Sequence, residues 1–164
     1  MLILGIDPGT GRTGYGLVRI ESGQSPILVS CGCIETDKDM LPHERLKDLF
    51  LQLGSLIKEH KPDVMAVEKL FFNRNITTAM GVCEARGVIL LAASLESVPI
   101  FEYTPIQVKE ALTGYGRASK AEVKEMVKIH LSVDRIKGPD DVSDALAIAV
   151  CHSFSYEFAG DLND

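Results

Sequence analysis

The fold is decided near the start of the chain, by the stretch Leu2-Ile3-Leu4-Gly5-Ile6-Asp7-Pro8-Gly9-Thr10-Gly11. Its apolar part is too short for a helix and is predicted as a buried strand over residues 2–7. The strand ends on an acid, and the glycines that follow allow a backbone to approach a phosphate closely. We therefore predict a sheet whose first strand brings a carboxylate to the sheet edge.

Hydrophobic spacing extends this strand into a sheet with a covering helix. Strand-like segments over 14–20 and 27–34, separated by a polar turn, are predicted to complete an antiparallel meander with the first strand. Apolar residues at helical spacing predict a surface helix over 42–60. Pro62 ends that helix, which supplies the crossover that a buried strand over 63–68 needs to run parallel to the first.

The second half of the chain is predicted to be mostly helical. Residues 77–95 are apolar or small on most of a helix circumference, so we expect that helix to be buried nearly all round. The other expected elements are a strand over 99–103, a helix over 105–112, a helix from Ser119 to about 131 and a helix from about 139. Ser119 and Glu122 have the spacing of a capping box. The order predicts one α/β domain over 1–158, with a five-stranded mixed sheet flanked by helices, and a short polar tail over 159–164.

The composition is that of an ordinary globular domain. The chain has 164 residues, of which 46% are hydrophobic and 24% charged, enough to bury a core without metal or disulfide staples. It has neither a leader segment nor the ~20 consecutive apolar residues that cross a bilayer, so we expect a cytoplasmic protein without membrane contact. The cysteines are too scattered for a zinc site and are expected as buried thiols. The formal net charge of -6 counts against a nucleic-acid partner unless basic residues gather locally.

Four acids are predicted to gather at one edge of the sheet. Asp7 and Glu68 each end a buried strand, and the carboxyl ends of neighbouring parallel strands lie at the same edge. Asp141 and Asp144 are three residues apart at the start of the last helix, which puts their Cβ atoms about 5–6 Å apart on one face. So many carboxylates cannot all stay ionised in one cleft without cations.

Divalent-metal chemistry is the natural consequence of this cluster. All-oxygen ligands favour Mg²⁺, with Mn²⁺ able to substitute, and a pair of such ions can activate water and stabilise the leaving oxygen of a phosphoryl displacement. We therefore predict phosphodiester hydrolysis with two ions in each active site. Each acid alone has a simpler interpretation, because acids at strand ends form turns and acids in a first helical turn favour the helix start. Asp140 in particular is expected to be a structural cap.

Several motifs together resemble the RuvC family of Holliday-junction resolvases. They are Gly5-Ile6-Asp7-Pro8-Gly9 with Thr13-Gly14-Tyr15-Gly16, Val67-Glu68-Lys69-Leu70-Phe71, Ala85-Arg86-Gly87, Phe101-Glu102-Tyr103 and Asp141-Val142-Ser143-Asp144-Ala145-Leu146-Ala147-Ile148-Ala149. The resemblance covers residues 1–152. It implies an RNase H-like fold, a homodimer, and a structure-selective endonuclease that cuts four-way DNA junctions in recombination and DNA repair.

The same resemblance implies residue roles and partners. The catalytic metal-binding acids would be Asp7, Glu68, Asp141 and Asp144. Phe71 matches an aromatic residue that wedges into the junction centre, although a Phe pair is more often core. Lys109 and Lys120 match basic residues of the family that lie beside the active site and contact phosphate. Charge distribution, and not the resemblance, adds three further candidates for DNA contact, because they fall in the segments that flank the acids: Lys69, Arg74 and Arg117. A branch-migration helicase complex is implied as a further partner, and the apolar circumference of the helix over 77–95 suggests a self-complementary dimer surface.

Two other functions fit parts of the sequence. The stretch from Gly5 to Gly11 is also similar to the phosphate loop of actin-like and sugar-kinase-like phosphotransferases, but those enzymes generally close two such domains on ATP. A non-catalytic junction-binding module would keep the fold, but it would have no need of four acids. Nucleotide binding without DNA cleavage would favour the first alternative, and junction binding without cleavage the second.

Overall fold

A computed structural model describes residues 1–69 and 76–160 of the chain. In chain order the elements are β1 (Leu2–Asp7), β2 (Arg12–Arg19), β3 (Ile27–Glu35), α1 (Pro42–His60), β4 (Val64–Glu68), α2 (Ile76–Leu95), β5 (Ile100–Tyr103), α3 (Pro105–Thr113), α4 (Lys120–Leu131) and α5 (Asp140–Gly160). Each predicted strand and helix is present within a few residues of its expected ends.

The strands form one mixed sheet in the order β3-β2-β1-β4-β5. The pairs β1/β2 and β2/β3 are antiparallel, which confirms the predicted meander. The pairs β1/β4 and β4/β5 are parallel, so the crossover through α1 is also as predicted. The predicted five-stranded mixed sheet flanked by helices is therefore confirmed. Because β1 lies at the centre of the sheet, the residues at its carboxyl end have neighbours on both sides.

The sheet separates two hydrophobic layers, because successive residues of a strand face opposite sides. Leu4 of β1 packs in a core with Leu53 of α1 and Ile89 of α2. Ile3 faces the other way and packs in a core with helices α3, α4 and α5, including Leu146 of α5. All five side chains are fully buried. The position of α5 directly on the central strands determines what its first turn can reach.

The expectation that the helix over 77–95 is buried nearly all round is wrong for the single chain. Ala85 and Ile89 of α2 are buried, but Met80, Leu91 and Leu95 are 62%, 54% and 63% exposed. The sheet and α1 cover only part of this apolar helix, so its remaining apolar face is left to solvent. None of the helices in the described chain combines the length and apolarity needed to cross a membrane.

The ends of α4 and α5 bear on the site. Ser119 caps α4 as predicted: its Oγ accepts a hydrogen bond from the Glu122 backbone N–H (3.3 Å), and a Glu122 carboxylate oxygen accepts from the Ser119 N–H (2.7 Å). This fixes Lys120 in the first turn of α4. Helix α5 runs to Gly160, beyond the residue at which a polar tail was expected to begin. Residues 161–164 lie outside the described residues, so the tail itself stays a prediction.

Candidate active site

Two of the predicted site acids lie side by side at the edge of the sheet. The parallel strands β1 and β4 pair with Ile6 opposite Val67, so the next residues along, Asp7 and Glu68, are neighbours. Both side chains are half-buried. They stand where their strands leave the core, at the carboxyl end of the parallel part of the sheet. This is the edge at which open α/β sheets bind ligands.

Glycines in the sheet bring α5 close enough to place its acids over this edge. A Cβ on Gly14, the β2 partner of Asp7, would lie 2.0 Å from the backbone oxygen of Asp141. A Cβ on Gly5 would lie 2.2 Å from the backbone oxygen of Ala145. Neither contact is possible for a residue with a side chain, so helix and sheet approach each other backbone to backbone. The first turn of α5 therefore rests directly above the end of β1.

The four acids are close enough for their charges to influence one another. Burial raises the pKa of Asp7 from an ordinary 3.8 to about 8, and the charges of Glu68, Asp144 and Asp141 add to the rise, while Lys120 opposes it. Burial and the charge of Asp144 likewise raise the pKa of Glu68. A carboxyl group with such a pKa is in an environment that disfavours its charged form. The site is therefore short of positive charge.

Two basic side chains partly compensate this shortage. Lys120 Nζ lies 2.7 Å from a carboxylate oxygen of Asp144, and this contact raises the pKa of the lysine. Arg12 Nε lies 3.7 Å from a carboxylate oxygen of Asp141. Arg12 was not among the predicted site residues. The available signal was its position directly after the glycine-rich turn, at the start of the strand that flanks Asp7.

Asp140 differs from the other acids of α5. Its carboxylate lies 3.1 Å from Lys124 Nζ and is mostly exposed, and the lysine lowers the pKa of Asp140. The aspartate thus faces α4, while Asp141 and Asp144 face the sheet edge. Its contacts agree with the expectation of a structural residue at the helix start.

The donor set suits divalent cations. Within residues 1–69 and 76–160, no three acid, cysteine or histidine side chains are arranged as a ready-made metal site. Two of the four carboxylates are instead turned toward Lys120 and Arg12. All four donors are nevertheless carboxylate oxygens, the type that Mg²⁺ and Mn²⁺ prefer. Burial, and after it the charges of the neighbouring acids, raise the pKa of Asp7. Cations there would stabilise the ionised carboxylates, so the residues fit such ions.

The predicted DNA-contact residues divide into three groups. Lys120 adjoins the acids, through its contact with Asp144. Lys69 and Arg117 are exposed and Lys109 is half-buried, and the described part of the chain shows no ion pair for any of the three. Phe71 and Arg74 lie outside the described residues. Only Lys120 among the basic candidates is therefore seen in contact with a site acid.

Comparison with known proteins gives one consistent result. The family model described as "Crossover junction endodeoxyribonuclease RuvC" matches residues 3–152. A protein of that name from Pelotomaculum thermopropionicum is 51% identical over 156 residues, which are 95% of this chain and 94% of the relative. The Thermus thermophilus RuvC structure superposes with a TM-score of 0.89 at 34% identity, covering 97% of each chain. The structure of T. thermophilus RuvC in complex with Holliday junction substrate gives 0.91 at 34% identity, covering 97% and 96%. The RNase H-like fold expected from the sequence is thereby confirmed.

Proposed function

This chain belongs to the RuvC family of crossover junction endodeoxyribonucleases, and from that membership we propose how its residues cut four-way (Holliday) DNA junctions during recombination and repair. The reaction is hydrolysis of a phosphodiester, dependent on divalent metal. The match over residues 3–152 decides against the phosphotransferase alternative.

We assign the catalytic, metal-binding role to Asp7, Glu68, Asp141 and Asp144. One observation carries the assignment: two neighbouring parallel strands present Asp7 and Glu68 beneath the first turn of a helix that presents the other two acids. The carboxylates thus approach a common cleft from the sheet and from the helix. Two Mg²⁺ ions, or Mn²⁺ in their place, would supply Lewis-acid activation of water and neutralisation of the leaving oxygen.

The role of Lys120 in this proposal is electrostatic. Its ammonium group lies 2.7 Å from Asp144 and its side chain is 69% exposed, so it can exchange this carboxylate for a phosphate oxygen at little cost. A positive charge beside the acids would offset the repulsion between them and the DNA backbone. The capped start of α4 holds the lysine in place. Lys69, Lys109 and Arg117 are proposed to contact phosphates farther from the cut, as are Phe71 and Arg74, which lie outside the described residues.

The homodimer is proposed from the uncovered face of α2. Met80, Leu91 and Leu95 project apolar surface that the single chain does not bury, and a self-complementary patch is the usual basis of a two-fold dimer. Replacing Leu91 by Asp is expected to yield monomers in light scattering. The matched control is Ile129→Asp on α4, which changes a residue at least as exposed, 65% against 54%, and is expected to leave the dimer intact. Monomerisation by both variants, or by neither, would contradict this assignment.

The proposal also covers the symmetry of cutting, a protein partner and the location in the cell. A two-fold enzyme could nick two strands of a junction symmetrically, leaving ends that a ligase can seal. A helicase complex that moves the branch point is the proposed partner, by family resemblance. The cytoplasm is the proposed location, since the four cysteines, all in the described chain, are free thiols that a reducing compartment would preserve.

A single assay separates the candidate functions. The purified protein is incubated with labelled four-way junction or linear duplex, with and without Mg²⁺. Paired nicks confined to the junction support the proposal, and shifted bands without nicks support a binding module. Asp7→Asn is expected to bind the junction but not cut it, because one acid of the cluster no longer binds cations. Asp134→Asn, an exposed change in the α4–α5 loop, is the control and should cut normally; cutting by Asp7→Asn would remove Asp7 from the mechanism.

A further inference from the structure

A groove of about 670 Å³ lies beside the turn that joins β1 to β2. Its walls include the turn residues Gly9, Thr10 and Gly11, together with Thr36 after β3. Its charged lining residues are three cations and two acids: Arg12, Lys38, Arg45, Glu35 and Asp141. The chain as a whole carries a formal net charge of -6, whereas the basic side chains of this groove outnumber its acidic ones by one.

The backbone carbonyls of the turn each accept a hydrogen bond from elsewhere in the chain. The Gly9 carbonyl accepts from the Thr13 hydroxyl at 3.4 Å. The Thr10 carbonyl accepts from an Arg45 guanidinium nitrogen at 2.7 Å. The Gly11 carbonyl accepts from the Thr36 backbone N–H at 3.2 Å. An anion in the groove would therefore be repelled mainly by the carboxylates of Glu35 and Asp141, and only weakly by the carbonyls of the turn.

Arg45 links two walls of the groove. Besides its bond to the Thr10 carbonyl, its Nε donates to the Thr36 hydroxyl at 3.0 Å, so one guanidinium joins the turn to the segment after β3. A Cβ on Gly11 would lie only 3.1 Å from this guanidinium. Glycine at this position thus leaves room for the guanidinium of Arg45 beside the turn. Because Arg45 is occupied in this way, the cations free to bind a ligand are the other two.

Arg12 and Lys38 are available for that purpose. Arg12 is 53% exposed, and its 3.7 Å separation from Asp141 is too long for a hydrogen bond. Lys38 is exposed and has no ion pair within the described part of the chain. Since Asp141 belongs both to the groove and to the acid cluster, the groove adjoins the proposed cleavage site.

We propose that this groove binds a backbone phosphate of the DNA next to the one that is cut, with Arg12 and Lys38 as positioning residues. The inference rests on the proposed function, because it takes the nearby acids as the place of cleavage. The open shape of the groove suits a continuous polymer. Positioning a second phosphate would fix the strand's direction across the acids, which a single contact at the scissile phosphate cannot do.

The salt dependence of junction binding tests this assignment. A labelled four-way junction is titrated with protein in EDTA, in monovalent salt only, so that the DNA is not cut and no divalent ion competes. Each lost phosphate contact makes the negative slope of log affinity against log salt shallower by about 0.9. If affinity at 1 M salt is unchanged, this is about an eightfold loss of affinity at 0.1 M salt. Because Arg12 and Lys38 share one phosphate in each groove, each single variant is expected to show part of this loss, and the double variant is expected to lose the whole contact in both protomers of the dimer.

Two controls separate a lost contact from a lost structure. Arg19→Gln removes the same charge from the opposite end of β2, also at an exposed position, and should leave the slope unchanged. Arg12→Lys keeps the charge and should restore most of the slope. If Arg12→Gln binds with the wild-type slope, or if Arg19→Gln loses as much, the groove is not a phosphate site.

The remaining outcomes separate a failure of the proposed phosphate site from a failure of the proposed function. Cutting of the junction by the wild type in Mg²⁺ is measured in parallel. If the wild type cuts but Arg12→Gln keeps the wild-type slope, the phosphate site in the groove is refuted and the proposed nuclease function is not. A wild-type chain that neither binds nor cuts refutes the proposed function itself. Inorganic phosphate is titrated separately by ³¹P line broadening. Phosphate binding that Arg12→Gln removes without any change in the junction slope would assign the groove to free phosphate and overturn the DNA contact.

Discussion

Replacing Asp7 by Asn is expected to stabilise the metal-free protein at alkaline pH and to lose that effect as the pH falls. The folded protein raises the pKa of Asp7 from 3.8 to about 8. The folded state therefore holds this proton more tightly than the unfolded state does. Stability from this group is complete below about pH 4 and is lost as the pH rises toward 8.

The magnitude depends on the width of that interval. Each pH unit over which the two states differ by one proton changes the free energy of unfolding by about 1.4 kcal/mol. The interval from 3.8 to about 8 therefore sets an upper limit on the free energy of unfolding that is lost when Asp7 ionises. Because the site can relax around the charge, the expected loss is on the order of a few kcal/mol. Asn has nearly the same shape but no charge to desolvate. The variant avoids this cost at every pH.

Urea unfolding in EDTA at pH 5 and pH 8 measures the effect. At pH 8 the midpoint of Asp7→Asn should exceed that of the wild type, and the difference should shrink at pH 5. Asp134→Asn, at an exposed loop position, should follow the wild type at both. Mg²⁺ should raise the wild-type midpoint more than that of Asp7→Asn, because binding to the folded state is stabilising. Equal midpoints for wild type and Asp7→Asn at pH 8 would refute the raised pKa of Asp7, and with it the burial and the neighbouring acids that cause the rise.

Three further substitutions test how the scaffold holds the site. Gly14→Ala should destabilise the fold by about 1–3 kcal/mol in urea unfolding and reduce junction cutting, because the added Cβ would meet the Asp141 backbone oxygen at 2.0 Å. Gly54→Ala, inside α1 with nothing within 4 Å of the added atom, should instead stabilise by roughly 0.5–1 kcal/mol in the same measurement. Ser119→Ala should cost about 1 kcal/mol in thermal unfolding, since the Glu122 N–H loses its side-chain acceptor.

The elements and the pairing of Asp7 with Glu68 could be predicted because they depend on local patterns. An apolar run ending on an acid indicates a strand that emerges from the core, and a helix between two such runs indicates parallel pairing. In the structure, β1 and β4 pair in parallel and Asp7 and Glu68 are neighbours. The capping box at Ser119 was equally predictable, because both of its residues lie within one helical turn. Which acids bind metal stays a prediction.

The long-range contacts could not be predicted in the same way. Gly5 and Gly14 were noted as motif residues, yet their use depends on a helix that begins more than a hundred residues later and packs on them. Arg12 meets Asp141 for the same reason. The burial of α2 within the single chain was also misjudged, because periodicity reports how apolar a helix is but does not report which neighbours cover it. Contacts between distant segments require the docked structure.

The acidic composition of the chain is compatible with DNA binding once distance is considered. At physiological salt, charges more than about 8–10 Å apart are largely screened, so an acid at the far end of the sheet hardly affects a phosphate at the near end. A bound strand therefore meets only the local set of charges. On the proposed assignment, the acids of the cluster would repel phosphate there, while Lys120 and the cations of the groove would attract it. The acids are themselves the largest obstacle to binding, and divalent ions would convert them from repulsive to attractive. On the proposed assignment, these ions would therefore raise affinity as well as support cleavage.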